Sequence, residues 1–96
     1  MRKITKQAAA AFTNAGYFRK DNTEVYSDGI GTAMVLHGNT IARLDKGKGL
    51  EINLCGWNTP TTRERLHGLP GVRVSTKHGH AYLNGQPSPD SGWVTV

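Results

Sequence analysis

The sequence predicts an α+β fold: an antiparallel β-sheet, arranged as a meander plus a C-terminal hairpin, with an N-terminal α-helix and a second short helix. Three observations predict it. An alanine-rich segment near the amino terminus carries apolar side chains at helical spacing. Glycine-containing turns then recur about every eight to ten residues, the rhythm of a meander. The stretches between those turns alternate apolar and polar side chains. The 96 residues make one domain over 1–96, because a second core would leave each half too short to offset the entropy of ordering its backbone.

The first helix lies in a basic helical segment over 1–20 and runs from Thr5 to about Ala15. Ile4, Ala8, Ala11 and Phe12 share one stripe, with Lys6 and Thr13 directed away. Thr5 is the expected N-cap, and Gly16 the expected left-handed residue after the last turn. The stripe is narrow and built mostly from alanine, which suits close packing on a sheet. The β-meander occupies 22–54, with turns at Asp28-Gly29-Ile30-Gly31, His37-Gly38-Asn39 and Asp45-Lys46-Gly47-Lys48-Gly49. Strands are expected around Thr23–Tyr26, Thr32–His37, Thr40–Leu44 and Leu50–Leu54. In the last of these Leu50, Ile52 and Leu54 alternate with Glu51 and Asn53, so one face is dry and one wet. Ala33-Met34-Val35-Leu36 is apolar on both faces, the mark of a central strand.

Thr61-Thr62-Arg63-Glu64 has the form of a capping box and opens a helix over 61–68, bounded by Pro60 and Gly68. Only Leu66, with Leu69 just beyond, is strongly apolar, so this helix should pack by one turn and expose Arg63, Arg65 and His67. A hairpin and a C-terminal strand fill 72–96. Val72 and Val74 alternate with Arg73 and Ser75, Lys77-His78-Gly79-His80 forms the bend, Ala81-Tyr82-Leu83 returns, and Asn84-Gly85 ends the strand. Residues 86–92 are a loop too proline-rich to pair, and Trp93-Val94-Thr95-Val96 finishes the chain as an edge strand or a docking segment.

Net charge is +5, and its placement matters more than its size. Residues 1–20 hold Arg2, Lys3, Lys6, Arg19 and Lys20 without an acid, whereas residues 21–96 carry seven basic and seven acidic side chains. A basic end of this kind attracts phosphates or acidic proteins and also serves as solubilising charge. No stretch approaches the roughly eighteen apolar residues of a membrane span. The amino terminus lacks the leucine-rich run of a secretory signal, so the chain is expected to be soluble and cytoplasmic. The lone Cys55 has no internal partner for a disulfide, which fits a reducing compartment.

Chemistry-bearing constellations are sparse. A zinc site needs three or four converging ligands, and the only close pair here, His78 and His80, is split by Gly79 in a turn that splays the rings. No metal and no cofactor is expected. Cys55 would act as a nucleophile only beside a base such as His37 or His67, and the spacing does not demand either. Gly29/Gly31 and Gly47/Gly49 precede strands rather than helices, which makes them turn glycines and not phosphate cradles. The most coherent enzyme is a metal-free nuclease with His78 or His80 as base and Lys77 or Arg73 holding phosphate. The expectation nevertheless is a non-enzymatic protein.

Single-stranded nucleic acid is bound by aromatic rings on an exposed sheet face, interleaved with cations. Tyr82 is flanked on its own face by His80 and Asn84, with Arg73 and Lys77 on the paired strand. Tyr26 is a poorer platform, since Glu24 and Asp28 share its face. Trp57 and Trp93, beside Gly56 and Gly92, are expected to cap the core. A duplex reader would instead offer Arg63, Arg65 and His67 from the second helix.

The strings Ile4-Thr5-Lys6-Gln7-Ala8, Asn22-Thr23-Glu24-Val25, Leu36-His37-Gly38-Asn39-Thr40-Ile41-Ala42, Gly56-Trp57 and Thr61-Thr62-Arg63-Glu64-Arg65-Leu66 occur together here. With Leu69-Pro70-Gly71-Val72, Tyr82-Leu83-Asn84-Gly85 and Gly92-Trp93, they resemble a family of short, uncharacterised accessory proteins of tailed phages and prophages over nearly the whole chain. The sequence departs from that pattern at Gln86-Pro87-Ser88-Pro89, where a tryptophan is expected soon after Asn-Gly. The resemblance implies a phage setting and carries no functional residues with it. Two partners follow. One is nucleic acid, met by Arg2, Lys3, Lys6, Arg19 and Lys20 with Arg73, Lys77 and Tyr82 as direct contacts. The other is a host or defence protein that the chain inhibits in the manner of an anti-CRISPR protein. An edge strand near either terminus would also allow a homodimer.

Overall fold

A computed structural model describes residues 2–45 and 47–96; Met1 and Lys46, the second residue of the expected 45–49 turn, lie outside the described residues. The elements are α1 (Lys3–Thr13), β1 (Phe18–Lys20), β2 (Thr23–Ser27), β3 (Gly31–Leu36), β4 (Asn39–Asp45), β5 (Gly49–Ile52), α2 (Pro60–His67), β6 (Val74–Lys77), β7 (His80–Leu83), β8 (Gln86–Pro87) and β9 (Val94–Thr95). They build an α+β fold with two antiparallel sheets, one ordered β1-β2-β3-β4-β5-β9 and the other β6-β7-β8. No described helix is long and apolar enough to cross a membrane.

Alternation decides which face of the large sheet is covered. Thr23, Val25, Met34, Leu36, Ala42 and Ile52 point to one side and are buried, while Glu24, Tyr26, Ala33, Val35 and Arg43 point to the other and keep contact with solvent. The register slips between Met34 and Val35, so that Ala42 faces Met34, Thr40 faces Val35, and the extra residue Ile41 is buried beside Ala42. α1 lies on the covered face, against β1, β2, β3 and α2. Its inward residues are Ile4, Thr5, Ala8, Ala9 and Phe12. The small alanines let the helix sit close, and Phe12 alone contributes about 1.5–3 kcal/mol by leaving water. Leu66 and Leu69 from α2 and its exit, and Val74, Ala81 and Leu83 from the small sheet, join the same core.

Arg65 ties these parts together. Its side chain is 1% exposed; Nε donates to Thr23 Oγ1 on β2 at 2.9 Å, and one terminal nitrogen donates to Thr5 Oγ1 on α1 at 2.8 Å and to Glu64 Oε1 at 3.0 Å. The Thr5 hydroxyl in turn donates to Glu64. Burial, and then the nearby charge of Arg2, pull the guanidinium below its ordinary pKa, and Glu64 opposes that shift. At the end of α2 the backbone approaches α1 so closely that a Cβ on Gly68 would stand 2.9 Å from Thr5 Cγ2 and 3.1 Å from Ala9 Cβ.

Several expectations need correction. Residues 18–20 of the basic helical segment form an edge strand, since Phe18 pairs with Val25 and Lys20 with Thr23. Thr5 does not cap α1: the N-cap is Arg2, without a side-chain bond, and Thr5 is drawn inward by Arg65 and Glu64. At the other end Ala15, not Gly16, takes the left-handed conformation (φ +52°). Thr59, not Thr61, caps α2, its hydroxyl accepting from the Thr62 amide at 3.2 Å with Pro60 at the first helical position. Glu64 is therefore free to serve Arg65 instead of a capping box, and Arg65 is buried rather than exposed. Gln86-Pro87 does pair, as the short edge strand β8. β3 sits inside the sheet, but its Ala33 and Val35 face is only half-buried because no layer covers it. The tryptophans do not cap the core: Trp57 is 61% exposed, and Trp93 lies on the open sheet face with the Arg43 guanidinium 3.9 Å above its ring.

Candidate nucleic-acid interface

The small sheet is held by one face and leaves the other free. Val74, Ala81 and Leu83 are buried in the core, and the outer row follows from the register. Ser75 faces Tyr82, which faces Pro87 on β8, and Lys77 faces His80. Arg73 precedes the strand, and its backbone is fixed against the Asn84 turn: its amide donates to Asn84 Oδ1 at 2.8 Å and its carbonyl accepts from the Asn84 amide at 2.7 Å. Because side chains alternate, Arg73, Ser75, Lys77, His80 and Tyr82 lie on one surface. Both bends of this meander take the two left-handed residues of a tight hairpin turn, His78-Gly79 (φ +52° and +80°) and Asn84-Gly85 (φ +50° and +85°). Two contacts seat the sheet, His67 Nε2 donating to the Val74 carbonyl and Thr76 Oγ1 to Asn58 Oδ1 at 3.1 Å, while the Ser88 amide extends the β7–β8 pairing by donating to the Ala81 carbonyl at 2.9 Å.

The charge on this face is unopposed. The two ion pairs among the described residues are Arg43–Glu51 and Arg65–Glu64, neither on the small sheet. From Arg65 through Pro89 the chain contains no Asp or Glu at all. That local run of positive charge is visible in the sequence and is hidden by averaging over residues 21–96.

The structure therefore brings Arg73, Lys77 and Tyr82 together, with His80 beside them. It does not unite the five amino-terminal cations. Lys3 and Lys6 are exposed along the outer flank of α1, and Arg2 lies near Arg65 at the start of that helix. Lys20 and Arg19 are both exposed on β1, but Lys20 faces Thr23 on the helix-covered side and Arg19 faces Glu24 on the open side. The duplex-reading helix also loses its readers. Arg65 is buried, Arg63 is bound to the Asn58 carbonyl at 3.1 Å and to Asn58 Oδ1 at 2.7 Å, and His67 is bound to Val74.

Cys55 and His37 line one cavity of about 400 Å3 at the other end of α2, a juxtaposition the sequence spacing did not demand. The thiol lacks the downward shift that favours a reactive thiolate. It donates to the Thr40 carbonyl at 3.3 Å, and burial pushes its pKa up. Among the described residues no group of three His, Cys, Asp or Glu side chains converges on a point that could hold a metal ion.

A family model for the Kyanoviridae Gp96 protein matches residues 1–95. The chain belongs to that family. No curated protein and no solved structure matches it. The Kyanoviridae Gp96 family is phage-associated, which agrees with the phage setting implied by the sequence resemblance. Its match spans the small sheet, α1 and the cavity alike, so it favours none of these surfaces over another.

Proposed function

We propose that this phage protein is a non-enzymatic binder of single-stranded nucleic acid, which it holds across the open face of β6, β7 and β8. The observation that carries the reading is the common face of Arg73, Lys77 and Tyr82, free of any acid. Tyr82 offers a ring on which a base can stack without regard to sequence, worth about 1–3 kcal/mol, while Arg73 and Lys77 meet the phosphates on either side. Arg2, Lys3, Lys6 and Lys20 add attraction at a distance rather than contacts. On this reading the protein is an accessory factor of tailed phages or prophages, at work in the host cytoplasm.

Fluorescence anisotropy with a labelled single-stranded oligonucleotide, DNA and RNA in turn, tests the proposal. Affinity should fall steeply with salt. Replacing Arg73 and Lys77 by Ala should make the slope of log K against log salt shallower by about 1.4, since each single-strand phosphate contact contributes about 0.7. Tyr82→Ala should weaken binding about tenfold, with that slope unchanged. Absence of binding to either polymer at low salt removes the reading.

The open face of the large sheet favours the second partner, a host or defence protein inhibited by occupation of its surface. There Tyr26, 42% exposed, and Ile30, 71% exposed, stand with Asp28 and Asp45 around a shallow concavity of about 200 Å3. The one cation among the described residues lining it, Arg43, is bonded to Glu51, and an otherwise apolar and acidic surface suits protein more than phosphate. A stoichiometric partner retained from nuclease-treated host lysate, and lost in Tyr26→Ala, supports inhibition.

A further inference from the structure

The 400 Å3 cavity has the size of a small-molecule site, about 300–1,000 Å3, and it lies apart from the nucleic-acid face. Its floor is apolar, made by Leu36, Ile41 and Leu54, each almost fully buried. No Asp, Glu, Lys or Arg lines it, so a charged ligand would give up its hydration without meeting a counter-charge. Most of the polar groups on the wall already have partners. The Thr59 and Thr62 hydroxyls lie 3.1 Å apart in a hydrogen bond, Thr59 also caps α2, and the Cys55 thiol donates to Thr40. The His37 imidazole, also on the wall, has Nε2 3.4 Å from the Asn22 side-chain nitrogen. Two further side chains have more to offer a ligand. The Trp57 indole stands at the wall 61% exposed, although burying such a ring in the core is normally among the largest gains a side chain makes. The Asn39 side-chain amide has only a 3.5 Å contact to the His37 carbonyl among the described residues, which leaves a coplanar donor and acceptor free.

We infer that this cavity is a binding site for an uncharged planar heterocycle of about nucleobase size, stacked on Trp57 and read along one edge by the Asn39 amide. An amide of this kind matches a ring that presents an adjacent acceptor and donor, as the adenine edge does. The flat ring satisfies the indole, the apolar floor accepts its far side, and walls without Lys or Arg among the described residues offer an anionic form no fixed counter-charge.

The test titrates the full chain, carrying Trp93→Phe so that Trp57 is the reporting fluorophore, with adenosine as the probe. Saturable quenching is expected. Calorimetry should show adenosine affinity about tenfold lower in Trp57→Ala and in Asn39→Ala, and restored in Trp57→Phe, which keeps a stacking ring. Both positions are outside the buried core, and unchanged thermal midpoints verify that the variants are folded; where Trp57→Ala melts early, Trp57→Leu takes its place. Adenosine monophosphate should bind no more tightly than adenosine. No saturable signal with adenosine, an affinity in Trp57→Ala and Asn39→Ala equal to that of the parent protein, or a tenfold preference for the monophosphate overturns the inference. The Arg73→Ala, Lys77→Ala protein should bind adenosine normally, so failure here and failure of the nucleic-acid reading are separate results.

Discussion

Two arginines eight residues apart in the chain, Arg65 and Arg73, occupy opposite circumstances. Arg65 is sealed between α1, α2 and β2, every contact to it coming from this protein's own hydroxyls and a carboxylate. Arg73 stands exposed on the small sheet, its backbone fixed by Asn84 and its guanidinium in no ion pair among the described residues. The same contrast separates the two sheets. On the large sheet Arg43 is held by the protein's own groups, bonded to Glu51 at 2.9 Å and stacked over Trp93, and Arg19 has an acid, Glu24, at the facing position of the next strand. On the small sheet the backbone is anchored and the cations are left for something else. A charged side chain informs about function by what already satisfies it, more than by its sign.

Removing each arginine sets the contrast at its sharpest. Arg65→Ala strips Thr5, Thr23 and Glu64 of their shared donor and opens a void beneath α1. Breaking a buried ionic network of this type costs about 3–5 kcal/mol, and urea denaturation should place the loss near the lower end, because Glu64 keeps some access to water. Arg73→Ala should change stability by no more than about 0.5 kcal/mol. Equal effects from the two would mean that Arg65 is not the tie it is drawn as, or that Arg73 has a structural partner.

The fold was legible where a period could be read. Ile4, Ala8 and Phe12 announced α1, and alternation with punctual glycine turns announced the meander and the face that carries Tyr82, because strand side chains alternate strictly. Arg65 was not legible. Charged residues are rarely buried, and its hydroxyl partners lie 42 and 60 positions away in the sequence. The amino-terminal cations mislead in the reverse sense: they fall within the first twenty residues, but a helix followed by a strand separates them and sends Arg19 and Lys20 to opposite faces. The cavity was hidden for a related reason, since its walls are gathered from β3, β4, the segment after β5 and the start of α2. Local pattern fixes which way a side chain points, and distant packing decides what it meets.

The cap of α2 extends the comparison to a residue type the sequence offers twice. Thr59 and Thr61 both flank Pro60, and only Thr59 bonds the Thr62 amide. Thr59→Ala should lower stability by about 1 kcal/mol, whereas Thr61→Ala, without a cap to lose, should stay within about 0.5 kcal/mol. The thermal midpoints of the two variants distinguish the observed cap from the capping box the sequence suggests. Loss on Thr61→Ala alone would restore the capping box and return Glu64 to the helix terminus, weakening the case for Arg65 as well.

The smallest effect concerns the end of α1, where the two regions of the molecule differ in how they treat left-handed backbone. In the small sheet each bend pairs a non-glycine residue with a glycine. After α1 the left-handed position is Ala15, and the helix closes through the bond from the Gly16 amide to the Ala11 carbonyl at 2.8 Å and from the Ala15 amide to the Phe12 carbonyl at 3.3 Å. A Cβ in this conformation costs about 1–2 kcal/mol, and glycine removes that cost while adding freedom to the unfolded chain. Ala15 is exposed, so little packing is lost with its methyl group. Ala15→Gly should therefore stabilise the protein, by about 0.5 kcal/mol in urea denaturation, against the usual direction of an alanine-to-glycine change. A decrease of about 1 kcal/mol, the ordinary helix-interior result, would mean that α1 continues through residue 15 and that the edge strand β1 begins from a different turn.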